Sequence, residues 1–213
     1  MSVYVPAHFA VEDRAAIARL VDEYPFATLV TPAAPEPQVS HLPLLLVADA
    51  GPHGTLIGHM ARANPHWRHA AGVDSIAIFH GPHAYVSPSW YAKPEEAVPT
   101  WNYVAIHAHG RLEVIEDGAR SRDVLDALVQ RFEGNRAAPW RFAMPERQRD
   151  ALVGAIVAFR LRIERVSAKF KLSQNRPAAD QVRVAAALDR EGYAEALSVA
   201  EWMRAYGGGA ATG

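Results

Sequence analysis

The stretch WNYVAIHAHGRLEVI, Trp101–Ile115, is the longest strand candidate in the chain. On a strand His107 and His109 share one face while Ile106 and Ala108 point to the other. Upstream, AYVSPSWY (Ala84–Tyr91) begins as a strand and ends in a proline-interrupted loop, and SIAIFHG (Ser75–Gly81) reads as a separate strand. Further back lie GTLIGHM (Gly54–Met60), a strand over Val39–Val47, and FATLVT (Phe26–Thr31) after Pro25. Strands at such close spacing predict an antiparallel sheet or barrel.

Helical periodicity frames these strands. Ile17, Leu20, Val21 and Tyr24 form one apolar stripe within Asp13–Tyr24, and Val124, Leu125, Leu128, Val129 and Phe132 form another. Leu152, Ala155, Ile156 and Phe159 point to a helix that runs into the strand AFRLRIERV. A last helical region follows Pro177, with a break near Gly192. The class is therefore mainly β within α+β, as one domain over residues 1–206 with a helical extension from about residue 189. The tail GGGAATG, 207–213, is expected to be disordered.

Composition sets limits. A chain of 213 residues buries a core without staples, and half hydrophobic with 21% charged residues is ordinary globular content. Cysteine is absent, which excludes disulfides, thiolate zinc sites and a cysteine nucleophile. No apolar run nears the roughly 18 to 20 residues that cross a bilayer, and the N-terminus shows no secretory pattern. The expectation is a soluble, cytoplasmic protein with no membrane partner. A net charge of -1 gives no pull toward nucleic acid, and the alternation of Lys169, Phe170 and Lys171 reads as a solvated sheet face.

Four constellations carry candidate chemistry. In GHMARANPHW (Gly58–Trp67) a strand end delivers His59, Met60, Ala61 and Arg62 to a helix opened by Asn64 as cap and Pro65 at the first position. A helix start suits an anion, and Arg62 adds a bidentate cation; a capped surface helix with a stray Arg is the plainer reading. VSPSWY and PTWNY offer Trp and Tyr faces for a planar ring, with Ser87, Ser89, Thr100 and Asn102 for its edges, or else a core with incidental polar neighbours. The pair His107 and His109, like His66 and His69, lacks a third metal ligand and reads as packed histidine. KFKLSQNRP (Lys169–Pro177) sets Gln174 and Arg176 at another helix entrance, which turn chemistry explains equally well. No nucleophile with its base, no P-loop and no dinucleotide fingerprint occurs, so no catalytic residue and no metal ligand is nominated.

Taken in order, YVPAHF, YPFATLVT, HLPLLL, GHMARANPHW, GPHAYVSPSWY, VPTWNY, HAHGRL and KLSQNRP resemble the FMN-binding negative transcriptional regulators of the PaiB type, over roughly residues 3 to 188. The resemblance implies an antiparallel FMN-binding split β-barrel with peripheral helices, a homodimer, and FMN at the subunit interface. It implies that the helix start at Asn64, with Arg62 and His59, holds the FMN phosphate, and it counts Met60 and Ala61 among the cofactor-binding residues. It also implies that Thr100, Trp101 and Asn102 approach the ring or ribityl chain, with Gln174 and Arg176 near the same cleft. Phe170 stands where members often carry Trp, and the stretch beyond Leu188 has no placed counterpart. A flavin-dependent NAD(P)H oxidoreductase and a haem-binding or haem-degrading protein are the alternatives.

Overall fold

The computed structural model describes residues 3–48, 51 and 53–207, so the expected disordered tail lies outside the described residues except for Gly207. Among the described residues eight strands are present: β1 (Ala10–Val11), β2 (Phe26–Thr31), β3 (Gln38–Pro43), β4 (Leu45–Val47), β5 (Thr55–Ala61), β6 (Asp74–Val86), β7 (Thr100–Ile115) and β8 (Ile156–Lys171). Six α-helices accompany them among the described residues: α1 (Arg14–Glu23), α2 (His66–Ala70), α3 (Gly118–Glu133), α4 (Glu146–Gly154), α5 (Ala178–Glu191) and α6 (Ala194–Tyr206). The strands form one antiparallel sheet in the order β3-β2-β6-β7-β8-β5-β4, with β1 on β8. No ladder joins β3 to β4 among the described residues, so the sheet is not closed. Register is set by facing pairs such as Leu29 with Ser40 and Gly58 with Phe159.

Four details differ from the sequence reading. The strand expected over Val39–Val47 is two, because after Pro43 the chain leaves the ladder and the Leu44 N–H donates to the Pro25 carbonyl at 2.9 Å. Conversely, the two strands expected around Pro82 are one, since β2 pairs only with Ile76–Ile78 and Pro82 interrupts no β2 ladder. The helical stripe through Ile156 and Phe159 is overridden by pairing: Ile156 faces Ala61 and Phe159 faces Gly58 on β5. Finally, α2 starts at His66, with Pro65 rather than Asn64 in the cap position.

The elements fall into two compact units, each described by itself. A central unit comprises residues 18–79 and 107–166. There α3 lays Val124 and Leu128 on Ala158, with Leu45, Ile57, Ile115 and Ile156 around them. Gly110 is required in this unit, because a Cβ there would collide with the Arg162 carbonyl. A terminal unit holds residues 3–17, 80–106 and 167–207. Its helices α5 and α6 turn at Gly192, φ 72°, the left-handed conformation that ends helices. Phe170, fully buried, meets Trp202 and Tyr206 edge-on at 5.4 and 5.5 Å.

Candidate functional site

In the central unit, the strand end and turn after β5 are held by backbone and side chains together. The Arg62 N–H donates to the Ala155 carbonyl at 2.9 Å. Its guanidinium Nε donates to the Gly154 carbonyl at 2.6 Å, and Nη2 to that of Ile156 at 2.8 Å. Arg62 is exposed and makes no ion pair with a carboxylate among the described residues. An arginine fixed by carbonyls keeps its full charge and part of its five-donor fork. Trp67 Nε1 closes the turn on the Arg62 carbonyl at 3.1 Å.

Behind the turn runs a buried polar chain. Asn64 Nδ2 donates to Ser40 Oγ at 2.9 Å, and Ser40 Oγ lies 2.8 Å from His66 Nδ1. His66 Nε2 lies 2.9 Å from Thr31 Oγ1, which is 2.7 Å from Ser75 Oγ, and Ser75 Oγ donates to the Val73 carbonyl at 3.2 Å. The fixed ends dictate every proton. Ser75 donates to Val73, so Thr31 donates to Ser75 and His66 Nε2–H donates to Thr31; Nδ1 then accepts from Ser40. His66 is fully buried and its burial, followed by the charge of His69, lowers its pKa, in keeping with a neutral ring. Asn64 Oδ1 takes the first helical N–H, that of His66, at 3.0 Å, so α2 does not begin bare.

Two other histidines of this unit have orphaned atoms. On β5, His59 Nδ1 is buried without a hydrogen-bond partner, and burial lowers the pKa of the ring. On β7, His109 Nε2 is likewise unpartnered, and its pKa falls to about 4 through burial first, then the Arg165 and His107 charges. The His107 and His109 rings lie 6.4 Å apart, and no group of three or more His, Cys, Asp or Glu positioned for a metal occurs among the described residues. Met60 is buried on β5 and Ala61 ends that strand exposed.

The remaining candidates belong to the terminal unit. Trp101 is 53% exposed, within 6.3 Å of the His83 ring and 6.2 Å of Tyr85. A cleft of about 280 Å³ is lined by His80, Gly81, His83, Trp101, Tyr103 and Val104. Thr100 Oγ1 accepts from Lys171 Nζ, which also donates to the Trp101 carbonyl at 2.7 Å. Asn102 is buried instead: its Nδ2 reaches Ser173 Oγ at 2.9 Å and Met203 Sδ at 3.4 Å. Ser173 sits at φ 69°, a conformation L-residues avoid unless their surroundings hold it. Gln174 is tied to its own loop, accepting from Leu172 N at 2.7 Å and donating to the Phe170 carbonyl at 2.6 Å. Arg176 stacks over Tyr91 at 4.7 Å, and the Tyr91 hydroxyl is buried without a partner.

The expected site residues thus gather as two groups, His59–Asn64 in the central unit and Thr100–Asn102 with Gln174 and Arg176 in the terminal unit. In the terminal group the contacts run from Asn102 to Ser173 and from Thr100 to Lys171, while Gln174 bonds within its own loop and Arg176 packs on Tyr91. Ser40, Thr31 and Ser75 were not singled out; single hydroxyls on three separated segments carry no local signal. Lys171 was, but as a solvated face.

Residues 3–165 match the family described as "Putative FMN-binding domain". The chain is 36% identical over 204 residues to the protease synthase and sporulation protein PAI 2 of Bacillus subtilis, covering 94% of this chain and 96% of that one. So wide a match extends past Leu188, where the sequence reading placed no counterpart. Among solved structures, the FAD and heme binding protein of Mycobacterium smegmatis superposes with TM-score 0.61 at 23% identity, covering 81% of this chain and 78% of the other. The flavocytochrome Anf3 of Azotobacter vinelandii gives 0.61 at 16%, covering 78% and 72%. At those identities the two structures speak for the fold alone, a split barrel. With motifs, family match and fold in agreement, the chain belongs to the PaiB-type family of FMN-binding split-barrel proteins, with FMN as its cofactor.

Proposed function

We propose that this protein is an FMN-dependent negative regulator of the PaiB type, acting as a cytoplasmic homodimer with flavin at the subunit interface. The observation that carries the cofactor part is Arg62, a guanidinium anchored on two carbonyls and left without a carboxylate. Such a cation is arranged in advance for an oxyanion from outside the chain. The regulatory part draws on the B. subtilis relative, whose name speaks of protease synthase and sporulation.

The residues present fit the group. Arg62 would take the phosphate, with Asn64, whose polar atoms already have protein partners, shaping the turn beside it, and the unpartnered His59 Nδ1 offers a ring nitrogen to a further polar atom of the cofactor. Trp101 would offer its exposed aromatic face to the ring across the subunit interface. Asn102 and Gln174, whose polar atoms already have protein partners, would shape the loop between β8 and α5. When bound, FMN supplies redox chemistry, and the protein's part is binding, orientation and electrostatics. With a net charge of -1, regulation needs a local contact or an indirect route rather than broad attraction to DNA.

FMN-loaded protein should retain a specific promoter fragment in a salt-sensitive manner and leave NADH and NADPH unoxidised. Steady turnover of either nicotinamide, with no fragment retained, would replace the regulator by an oxidoreductase.

A further inference from the structure

In the central unit, α3 turns one stripe toward the chain that follows it. Asp126, Val129, Gln130 and Glu133 fall at i, i+3, i+4 and i+7, so they share a face of the helix. Together with Pro139, Trp140, Arg141 and Phe142 of the segment leading to α4, and Arg149 of α4 itself, they line a pocket of about 340 Å³. That volume lies at the small end of the roughly 300 to 1,000 Å³ of ligand sites. It admits a molecule of one or two rings.

The walls are held by their own contacts. The Trp140 N–H donates to Glu133 Oε2 at 3.1 Å, which ties the segment back to the end of α3. The Trp140 and Phe142 rings meet edge-on at 4.8 Å, and the Arg149 guanidinium lies 4.7 Å from the Phe142 centre while it pairs with Asp126. Trp140 nevertheless stays 49% exposed, a flat apolar surface that a ligand can cover. The charges leave one over. Asp126 pairs with Arg149, and Glu133 with Arg136 at 3.2 Å, whereas Arg141 is exposed and has no carboxylate partner among the described residues. The Gln130 side-chain amide lines the same pocket and can donate as well. A guanidinium fork beside an amide suits the two oxygens of a carboxylate.

We propose that this pocket binds a small monocarboxylate with an apolar ring, the ring against Trp140 and Phe142 and the carboxylate on Arg141 and Gln130. The pocket shares no residue with the groups assigned to FMN. Its ligand is therefore a second small molecule that binds beside a resident flavin and does not compete with it.

The test is calorimetry on the full chain, with and without saturating FMN, using phenylacetate as probe and phenylacetamide as its neutral counterpart. Phenylacetate is expected to bind at least tenfold tighter than the amide, and equally well in both states of the protein. Arg141→Gln and Trp140→Leu, both at exposed side chains, should each weaken it at least fivefold while urea midpoints stay unchanged. Arg141→Lys, which keeps the charge, should recover part of the loss. Equal affinity for acid and amide, no binding of either, unchanged affinity in both the Gln and Leu variants, or displacement of phenylacetate by FMN would overturn the proposal.

Discussion

The central and terminal units solve the same problem in opposite ways. Around Arg62 almost every polar atom ends on a protein partner: Asn64, Ser40, His66, Thr31 and Ser75 form an unbroken chain to the Val73 carbonyl. Around Lys171 the polar groups are satisfied but the charge is not, and large rings stand in the open. A closed network fixes geometry, because each member determines its neighbour's proton. An unbalanced cluster fixes preference, because it gains most from a ligand of the opposite sign. One region is thus a rigid mount with the Arg62 cation at its lip, the other an open cationic face.

That contrast is sharpest in stability. His66→Ala removes a buried ring and leaves Ser40 and Thr31 without their partner, so a loss of about 3 kcal/mol is expected from cavity and unmet hydrogen bonds together. Urea denaturation measures it, and a loss under about 1 kcal/mol would mean that the network contributes little. Next in size is Arg62→Ala, which should weaken FMN by about 1.5 to 3 kcal/mol, the range for a hydrogen bond to a charged group. Flavin fluorescence reads this directly, and unchanged affinity would move the phosphate away from the turn.

Within the terminal unit, adjacent residues should diverge. Asn102→Ala, which strips Ser173 of a buried partner, should cost about 1 to 2 kcal/mol, whereas Trp101→Ala, half exposed, should stay within about 0.5 kcal/mol. Equal costs by thermal melting would erase the difference between a buried and an open face of β7.

The smallest effect concerns pH. His59, His66 and His109 all have pKa values lowered by folding, so the unfolded chain binds more protons below the usual histidine value of about 6.5. Stability is therefore full above that value and is lost as pH falls toward about 4, where His109 titrates in the folded state. Urea midpoints should decline from pH 7.5 to pH 5, and His109→Asn should flatten part of the slope. A midpoint that rose on acidification would contradict the neutral, buried rings.

How far the sequence reaches follows from the range of its signals. The strand β7, the helices α3, α5 and α6, and the break at Gly192 were legible because local period and glycine chemistry determine them. The merging of β6 across Pro82 was not, since it depends on where β2 stops pairing. Ile156 and Phe159 matched a helical stripe, yet the ladder to β5 decides their state. At the site, Arg62 and Asn64 were legible as a turn with a cation. The fixing of Arg62 was not, because its acceptors, the Gly154 and Ile156 carbonyls, lie some ninety residues away. Lys171 shows the reverse case: its alternation with Phe170 was seen, but only the neighbouring strand reveals rings rather than solvent beside it.

The account rests most heavily on an oxyanion held at the Arg62 turn, and comparing FMN with riboflavin tests it most directly. The two differ by the phosphate alone, so titration of the apo protein by flavin fluorescence should show FMN bound at least tenfold tighter. Riboflavin binding as tightly as FMN would contradict it.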